Sequence, residues 1–318
     1  MSVRPIIPMR ETFGAIVDAR PEESLDELRP EDVRELFGRF GSILFRGFGA
    51  DTESFMAFTE RFCEAFSTYR GGALRWKEFD RQMIDGIPTL LTTTGHNQTF
   101  PIPMHGEMYY SSERPDVLWF RCVQAPRFAG ETVLADGLEV AARLSERTRA
   151  LFAGRKLLYI RELAPEDWPT SFQTHDIDEI KRLCEATGTH MEVRDDGTLQ
   201  TEFRCSAFTA DGRFINSILP LSLAEQAFER GDGANDPRHF SHRRFPLKVR
   251  LDDGSRIPDD MLDEIECAVK AVTFKIQWRD GDVAMVDNAR VMHGRAQTVG
   301  DDRVIQVRMG TLGRGPER

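Results

Sequence analysis

A single glycine separates His105 from Glu107, and a third metal-binding side chain, His293, lies far along the chain. Side chains of an extended strand alternate in direction, so residues two apart point to one side. The pair therefore asks for a β framework that presents an imidazole and a carboxylate together, with a second imidazole brought in from a distant segment. Two histidines and one carboxylate on one face leave coordination positions open, the donor pattern of non-haem Fe(II) oxygenases. Arg303 stands ten residues after His293. Its planar guanidinium can pair with both oxygens of a carboxylate, such as the far end of a keto-acid cosubstrate, which an ammonium cannot do.

Neither motif is specific by itself. An isolated histidine is more often a hydrogen-bonded structural residue. His96, His175, His190, His239 and His242 also compete as ligands on count alone.

Composition narrows the class. A formal net charge of -10 argues against general nucleic-acid binding, which needs a basic surface. No apolar run reaches the roughly 18 residues of a membrane span. The N-terminal MSVRPIIPMRETFG lacks the apolar region of a signal peptide. Cys63, Cys122, Cys184, Cys205 and Cys267 are odd in number and scattered, which speaks against a disulfide framework or a cysteine zinc site. A cytoplasmic protein is expected. The 318 residues show no repeat, low-complexity stretch or composition change, so residues 1–318 are read as one domain.

Local patterns predict a mainly β protein with flanking helices. Two short helices are expected over residues 21–37 and a strand over 42–48. A helix capped by Asp51 or Thr52 follows, burying Phe55, Phe58, Phe62 and Phe66 at helical spacing. Residues 87–103 read as a mobile loop. Strands are expected at 115–122, 132–136, 157–161, 274–278, 283–286 and 304–309, and helices at 138–152, 176–185 and 259–272. Residues 203–208 and 213–218 read as a hairpin, and 229–244 as an irregular excursion. Many short strands with few helices imply an antiparallel core closed on itself, with helices outside.

Five segments, in order, carry a family resemblance. They are Arg46-Gly47-Phe48; His105-Gly106-Glu107; Gly130-Glu131-Thr132 with Ala135-Asp136; Gly281-Asp282 leading to Asp287-Asn288; and His293-Gly294-Arg295 leading to Arg303. Over nearly its whole length the chain resembles the taurine/2,4-D dioxygenase superfamily of Fe(II)/2-oxoglutarate oxygenases. More narrowly, HGEMYY, CVQAPRFAGETVLADG and residues 171–174 with 197–201 are similar to the syringomycin-type aspartate hydroxylases. The resemblance implies a double-stranded β-helix (jelly-roll) core. It implies His105, Glu107 and His293 as iron ligands, Thr132 and Arg303 as holders of 2-oxoglutarate, and Fe(II), 2-oxoglutarate and dioxygen as cofactors. Arg308 is the rival to Arg303. The two are five apart, so on one strand they face opposite sides, and the alternation favours Arg303 as the one looking inward.

The chain departs from the pattern in places. Its acid is Glu where Asp is commoner, although some amino-acid hydroxylases share this. A carboxylate of either kind speaks against halogenation. Gly106 replaces a frequent Asn of the subgroup, and Phe214-Ile215-Asn216-Ser217 replaces its Phe-Asn-Gln phrase; both weaken the case for aspartate as substrate. The expected activity is hydroxylation of an unactivated C–H bond in a small polar, amino-acid-derived substrate of bacterial specialised metabolism, free or tethered to a carrier protein. Desaturation or cyclisation would use the same cofactors. A non-catalytic metal-binding or sensing protein and a zinc hydrolase are the readings from other classes. Neither nucleic acid nor membrane is expected as a partner, and a homo-oligomer is compatible with the sequence. Residues 92–100 are the candidate lid, and Arg213, Arg290, Arg295 and Arg308 the candidates to bind a substrate anion.

Overall fold

The computed structural model describes residues 5–69, 81–93, 99–231, 245–300 and 302–313. Its organising strand is Val117–Gln124, whose first six residues are all buried. Such a strand needs apolar cover on both faces, and alternation distributes it. Val117 and Trp119 join Phe45, Phe55, Phe58 and Phe62 in a cluster on one side. Leu118, Phe120 and Cys122 enter the larger core on the other.

This strand lies inside a nine-stranded sheet. The order is Ile7–Pro8, Ala15–Asp18, Ser42–Arg46, Val283–Asp287, Val117–Gln124, Val304–Leu312, Ile87–Thr92 and Met83–Ile84, with Cys63–Phe66 also paired to Val304–Leu312. Pairings are antiparallel except Ala15–Asp18 with Ser42–Arg46. A four-stranded antiparallel sheet, Phe274–Ile276, Thr132–Asp136, Val291–Arg295 and Ile102–His105, faces it. Phe120 of the large sheet and His293 of the small one have ring centroids 5.7 Å apart. A third sheet runs His190–Val193, Leu199–Cys205, Leu157–Leu163, Leu247–Leu251. Helix Ile218–Arg230 packs against Leu247–Leu251 and against Ile102–His105, joining the third sheet to the edge that carries His105. Among the described residues no helix is long and apolar enough to cross a membrane.

Several expectations need correction. Residues 87–103 are not one loop: Ile87–Thr92 is a strand paired with Val304–Leu312, and Ile102 already opens the next. Its threonines and Pro88 read as loop chemistry, but Leu90 and Leu91 are buried and burial decided the conformation. The helix expected over 138–152 is two, Gly137–Arg143 and Glu146–Gly154. Ser145 breaks it by accepting a hydrogen bond from the Thr148 amide, a helix-starting contact. The phenylalanine stripe outruns its helix, Thr52–Glu60: Phe62 lies beyond it and Phe66 is in the strand Cys63–Phe66. The expected hairpin shrinks to one bridge, Phe208 with Phe214. Leu199–Cys205 pairs instead with Leu157–Leu163, and Ile218 begins a helix. Most of the irregular excursion, from residue 232 to 244, lies outside the described residues, as do 94–98 of the candidate lid.

Candidate metal centre and active site

His105 ends the strand Ile102–His105, and His293 sits in the middle of Val291–Arg295. The register sets the two histidines directly opposite one another, a cross-strand arrangement that brings side chains into contact. Their ring centroids are 4.3 Å apart. A register shift follows between His293 and Arg295. There Gly294 passes so close to the neighbouring strand that an added Cβ would meet the Ile102 carbonyl at 2.5 Å. Glu107 lies past the strand end, in a turn, and still reaches the same place. One ligand atom from each of His105, Glu107 and His293 lies within 4.8 Å of the others, the only such group of three among the described residues. His175 and His190 are exposed elsewhere, and His96, His239 and His242 lie outside the described residues.

The turn is held by its backbone. The Glu107 amide donates to Asn288 Oδ1 at 2.7 Å, and Asn288 Nδ2 donates back to the Glu107 carbonyl at 3.0 Å. The Gly106 amide donates to the Asn216 carbonyl at 2.9 Å, and Ser217 Oγ donates to the Gly106 carbonyl at 2.9 Å. A Cβ on Gly106 would meet the Tyr109 ring at 2.4 Å and Ile215 at 2.8 Å. Glycine is therefore the residue this crowding admits.

The electrostatics suit a cation. Burial and the neighbouring His293 push His105 down to about 4, so its imidazole is neutral at ordinary pH. His105 Nδ1 contacts the Pro103 carbonyl at 2.8 Å. A neutral ring donating there presents Nε2 as a free lone pair, the way carbonyl partners orient metal-binding histidines. Burial opposes ionisation of Glu107, but the Arg81 guanidinium and His293 outweigh it and hold the carboxyl well below the usual range. His293 Nε2 is 3.6 Å from Glu107 Oε2, and its Nδ1 is buried with no hydrogen-bond partner. A neutral His105 imidazole beside an ionised Glu107 carboxylate matches the protonation states that metal ligation requires. The donor set fits Fe(II).

The triad lies on the wall of a cavity of about 180 Å³, which Thr132, Arg295 and Arg303 also line. Arg303 Nε donates to the Gly130 carbonyl at 2.7 Å, and Nη2 donates to Thr132 Oγ1 at 3.2 Å. Trp278 Nε1 donates to the same hydroxyl at 3.0 Å. Burial lowers Arg303 to about 9, the mark of a cation far from water. Arg308 faces the other side of the sheet, over the Phe66 ring at 3.7 Å and donating to Thr59 Oγ1 at 2.5 Å. Of the other arginines considered for a substrate anion, Arg213 and Arg290 both bind Asp136. Arg295 lines the cavity and donates to the Phe100 carbonyl at 2.9 Å.

Arg81 was not legible from sequence. Its Nη2 is 2.5 Å from Glu107 Oε2, with both side chains buried. It stands in Glu78-Phe79-Asp80-Arg81-Gln82, a charged run without a motif, and only the contact of Arg81 with Glu107 makes it a pocket residue.

Comparison with known proteins agrees with this architecture. The dapdiamide synthesis protein DdaC of Enterobacter agglomerans is 24% identical over 321 residues, 95% of this chain and 92% of that protein. A taurine dioxygenase from Burkholderia xenovorans superposes with a TM-score of 0.56 at 16% identity, over 98% of this chain and 91% of that one. The PvcB protein of Pseudomonas aeruginosa does so with a TM-score of 0.53 at 17% identity, over 98% and 94%. The profile of the taurine catabolism dioxygenase TauD, TfdA family matches residues 5–309, so the chain belongs to that family of dioxygenases.

Proposed function

We propose that this dioxygenase uses Fe(II) and 2-oxoglutarate to hydroxylate an unactivated C–H bond of a small polar, amino-acid-derived substrate. The observation that carries the reading is the convergence of His105, Glu107 and His293 within 4.8 Å on the wall of a cavity that Arg303 also lines. His105, Glu107 and His293 hold the metal. Arg303 binds the far carboxylate of 2-oxoglutarate, oriented by the Gly130 carbonyl and Thr132. The large and small sheets are read as the two halves of a double-stranded β-helix, and residues 1–318 as one oxygenase domain.

Iron with 2-oxoglutarate supplies the oxidising power, drawn from dioxygen, that no amino-acid side chain has. The protein supplies position and dryness. Asn288 fixes the backbone of the carboxylate ligand, Pro103 fixes the ring of His105, and Phe120, Met108, Leu221 and Leu247 line the cavity with apolar surface. The amino-acid-derived substrate is supported by the likeness to DdaC, named for dapdiamide synthesis, and to PvcB, described as an Fe, alpha-ketoglutarate dependent oxygenase from an isonitrile synthetic pathway.

The test is a panel of free and carrier-tethered amino acids, incubated with Fe(II), ascorbate and 2-oxoglutarate. Succinate release and products are read by mass spectrometry. A gain of one oxygen is expected; a loss of two hydrogens would replace hydroxylation by desaturation or cyclisation. Glu107→Ala should abolish turnover, and full activity in that variant would overturn the ligand set.

A further inference from the structure

Thr132 lines the cavity, and its Oγ1 receives two hydrogen bonds, from Trp278 Nε1 at 3.0 Å and from Arg303 Nη2 at 3.2 Å. An indole N–H and a guanidinium can only donate, whereas a hydroxyl has two lone pairs and one proton. Both lone pairs of Thr132 are therefore taken, and its proton leaves in the one tetrahedral direction that remains. Among the described residues no acceptor receives that proton, although Thr132 is buried. Arg303 has a similar surplus. Of the five N–H groups of a guanidinium, one goes to the Gly130 carbonyl at 2.7 Å, one to Thr93 Oγ1 at 3.4 Å and one to Thr132. Two remain. They and the Thr132 proton are donors without acceptors, a set that the two oxygens of a carboxylate complete.

Trp278 is not among the described residues that line the cavity. It is buried beside Thr132, in a segment fixed before any ligand arrives. Ile276, two residues earlier, pairs with Thr132 across the strands. Arg46 donates to the Gln277 carbonyl and binds the buried Asp282 at 3.0 Å, and the Arg279 amide donates to the same carboxylate at 3.0 Å. Without the indole N–H, one lone pair of Thr132 is released. The hydroxyl can then turn that lone pair, in place of its proton, towards an incoming carboxylate and repel it.

We propose that Trp278 is a positioning residue for the cosubstrate: its N–H commits the Thr132 hydroxyl to donating, and so strengthens the preference for a keto acid with a second carboxylate. The proposal rests on the reading of Arg303 as the holder of the far carboxylate of 2-oxoglutarate. It adds a residue that acts on the cosubstrate only through another side chain.

The test uses the full chain with Co(II) as the metal probe, under anaerobic conditions. Calorimetry compares the binding of 2-oxoglutarate with that of 2-oxopentanoate, which carries a methyl group in place of the far carboxylate. Wild type should prefer 2-oxoglutarate by about tenfold or more, and Arg303→Lys should reduce that preference. If either fails, the cosubstrate reading falls and the role of Trp278 with it. Given that control, Trp278→Phe should weaken 2-oxoglutarate roughly three- to tenfold, the size of one hydrogen bond, and leave 2-oxopentanoate unchanged. A loss shared equally by the two keto acids would mark Trp278 as packing only and overturn the proposal. Replacing Trp278 by 3-benzothienylalanine keeps the bicyclic shape and removes only the N–H. It should reproduce the selective loss, and it carries the comparison if the phenylalanine variant does not fold; an undiminished preference there would also overturn the proposal. In a Thr132→Val background, Trp278→Phe should reduce the preference no further, since the hydroxyl it acts on is gone. Additive losses would show that the indole does not work through Thr132.

Discussion

At the scale of single residues, His105 couples the site to pH. An unfolded histidine takes its proton near 6.5, whereas His105 in the fold resists protonation down to about 4. Between those values the unfolded chain binds the extra proton, so the metal-free protein should lose stability as pH falls from about 6.5 towards 4. Thermal unfolding in the presence of a chelator, wild type against His105→Asn, isolates this contribution. The difference between them should shrink as the pH is lowered, and a constant difference would contradict the assignment. The two arginines separate just as cleanly. Arg303→Lys should raise the 2-oxoglutarate requirement by the loss of roughly 1.5–3 kcal/mol per charge-assisted bond, seen as weaker cosubstrate binding by calorimetry. Arg308→Lys should leave that binding nearly unchanged and lower the melting temperature instead, since Arg308 serves Thr59 and the Phe66 ring. The reverse ranking would mean that the wrong arginine was chosen. Alternation placed the two on opposite sides of one strand, but Arg303 stands just before the strand Val304–Leu312, whose register shifts between Val304 and Ile305; its place on the cavity wall is a matter of tertiary structure. Arg81 had no such signal, because its place beside Glu107 comes from contacts made in space.

At the scale of elements, the site depends on how closely two strands approach. Gly294 passes the Ile102 carbonyl where no Cβ fits, and the Met104 amide is only 3.2 Å from the same position. Gly294→Ala must push strand Ile102–His105 outward and carry His105 with it. Overpacking of this kind costs about 1–3 kcal/mol. The expected result is a lower midpoint in urea together with weaker Co(II) binding; loss of stability with intact metal affinity would show that the strand yields without moving its histidine. Element type was legible where one pattern dominated, as in the helix Asp259–Val272 or the strand Thr132–Asp136. It was misread where local chemistry and burial disagreed. Ile87–Thr92 looks like a loop, yet it pairs with Val304–Leu312. Ile218–Arg230 was not among the expected helices; its Pro220 is harmless in a first helical turn because the amide it lacks has no partner there.

At the scale of the whole molecule, the large sheet separates two tasks. Its cavity side meets the small sheet, while its far side carries the aromatic cluster. Phe58 is fully buried there, with ring centroids 5.2 Å from Phe45 and Phe62 and 5.7 Å from Trp119. Phe58→Ala should cost about 3–5 kcal/mol of stability, measured by urea unfolding, and leave 2-oxoglutarate affinity unchanged at temperatures where the variant stays folded. A large change in cosubstrate affinity would show that the two sides are coupled through the sheet.

The sequence by itself picked out the side chains that converge at the candidate site. A His-Gly-Glu triplet, a later His-Gly-Arg and an arginine ten residues on name the donor types, because these are local properties of spacing and side-chain chemistry. Tertiary structure decided what spacing cannot express. It set the opposed register of His105 and His293, the closeness that makes Gly294 necessary, and the hold of Asn288 and Asn216 on the Glu107 turn. It also placed Arg81 against the carboxylate. Each is a contact between segments far apart in sequence, fixed by packing and by the cost of leaving a buried charge or amide without a partner.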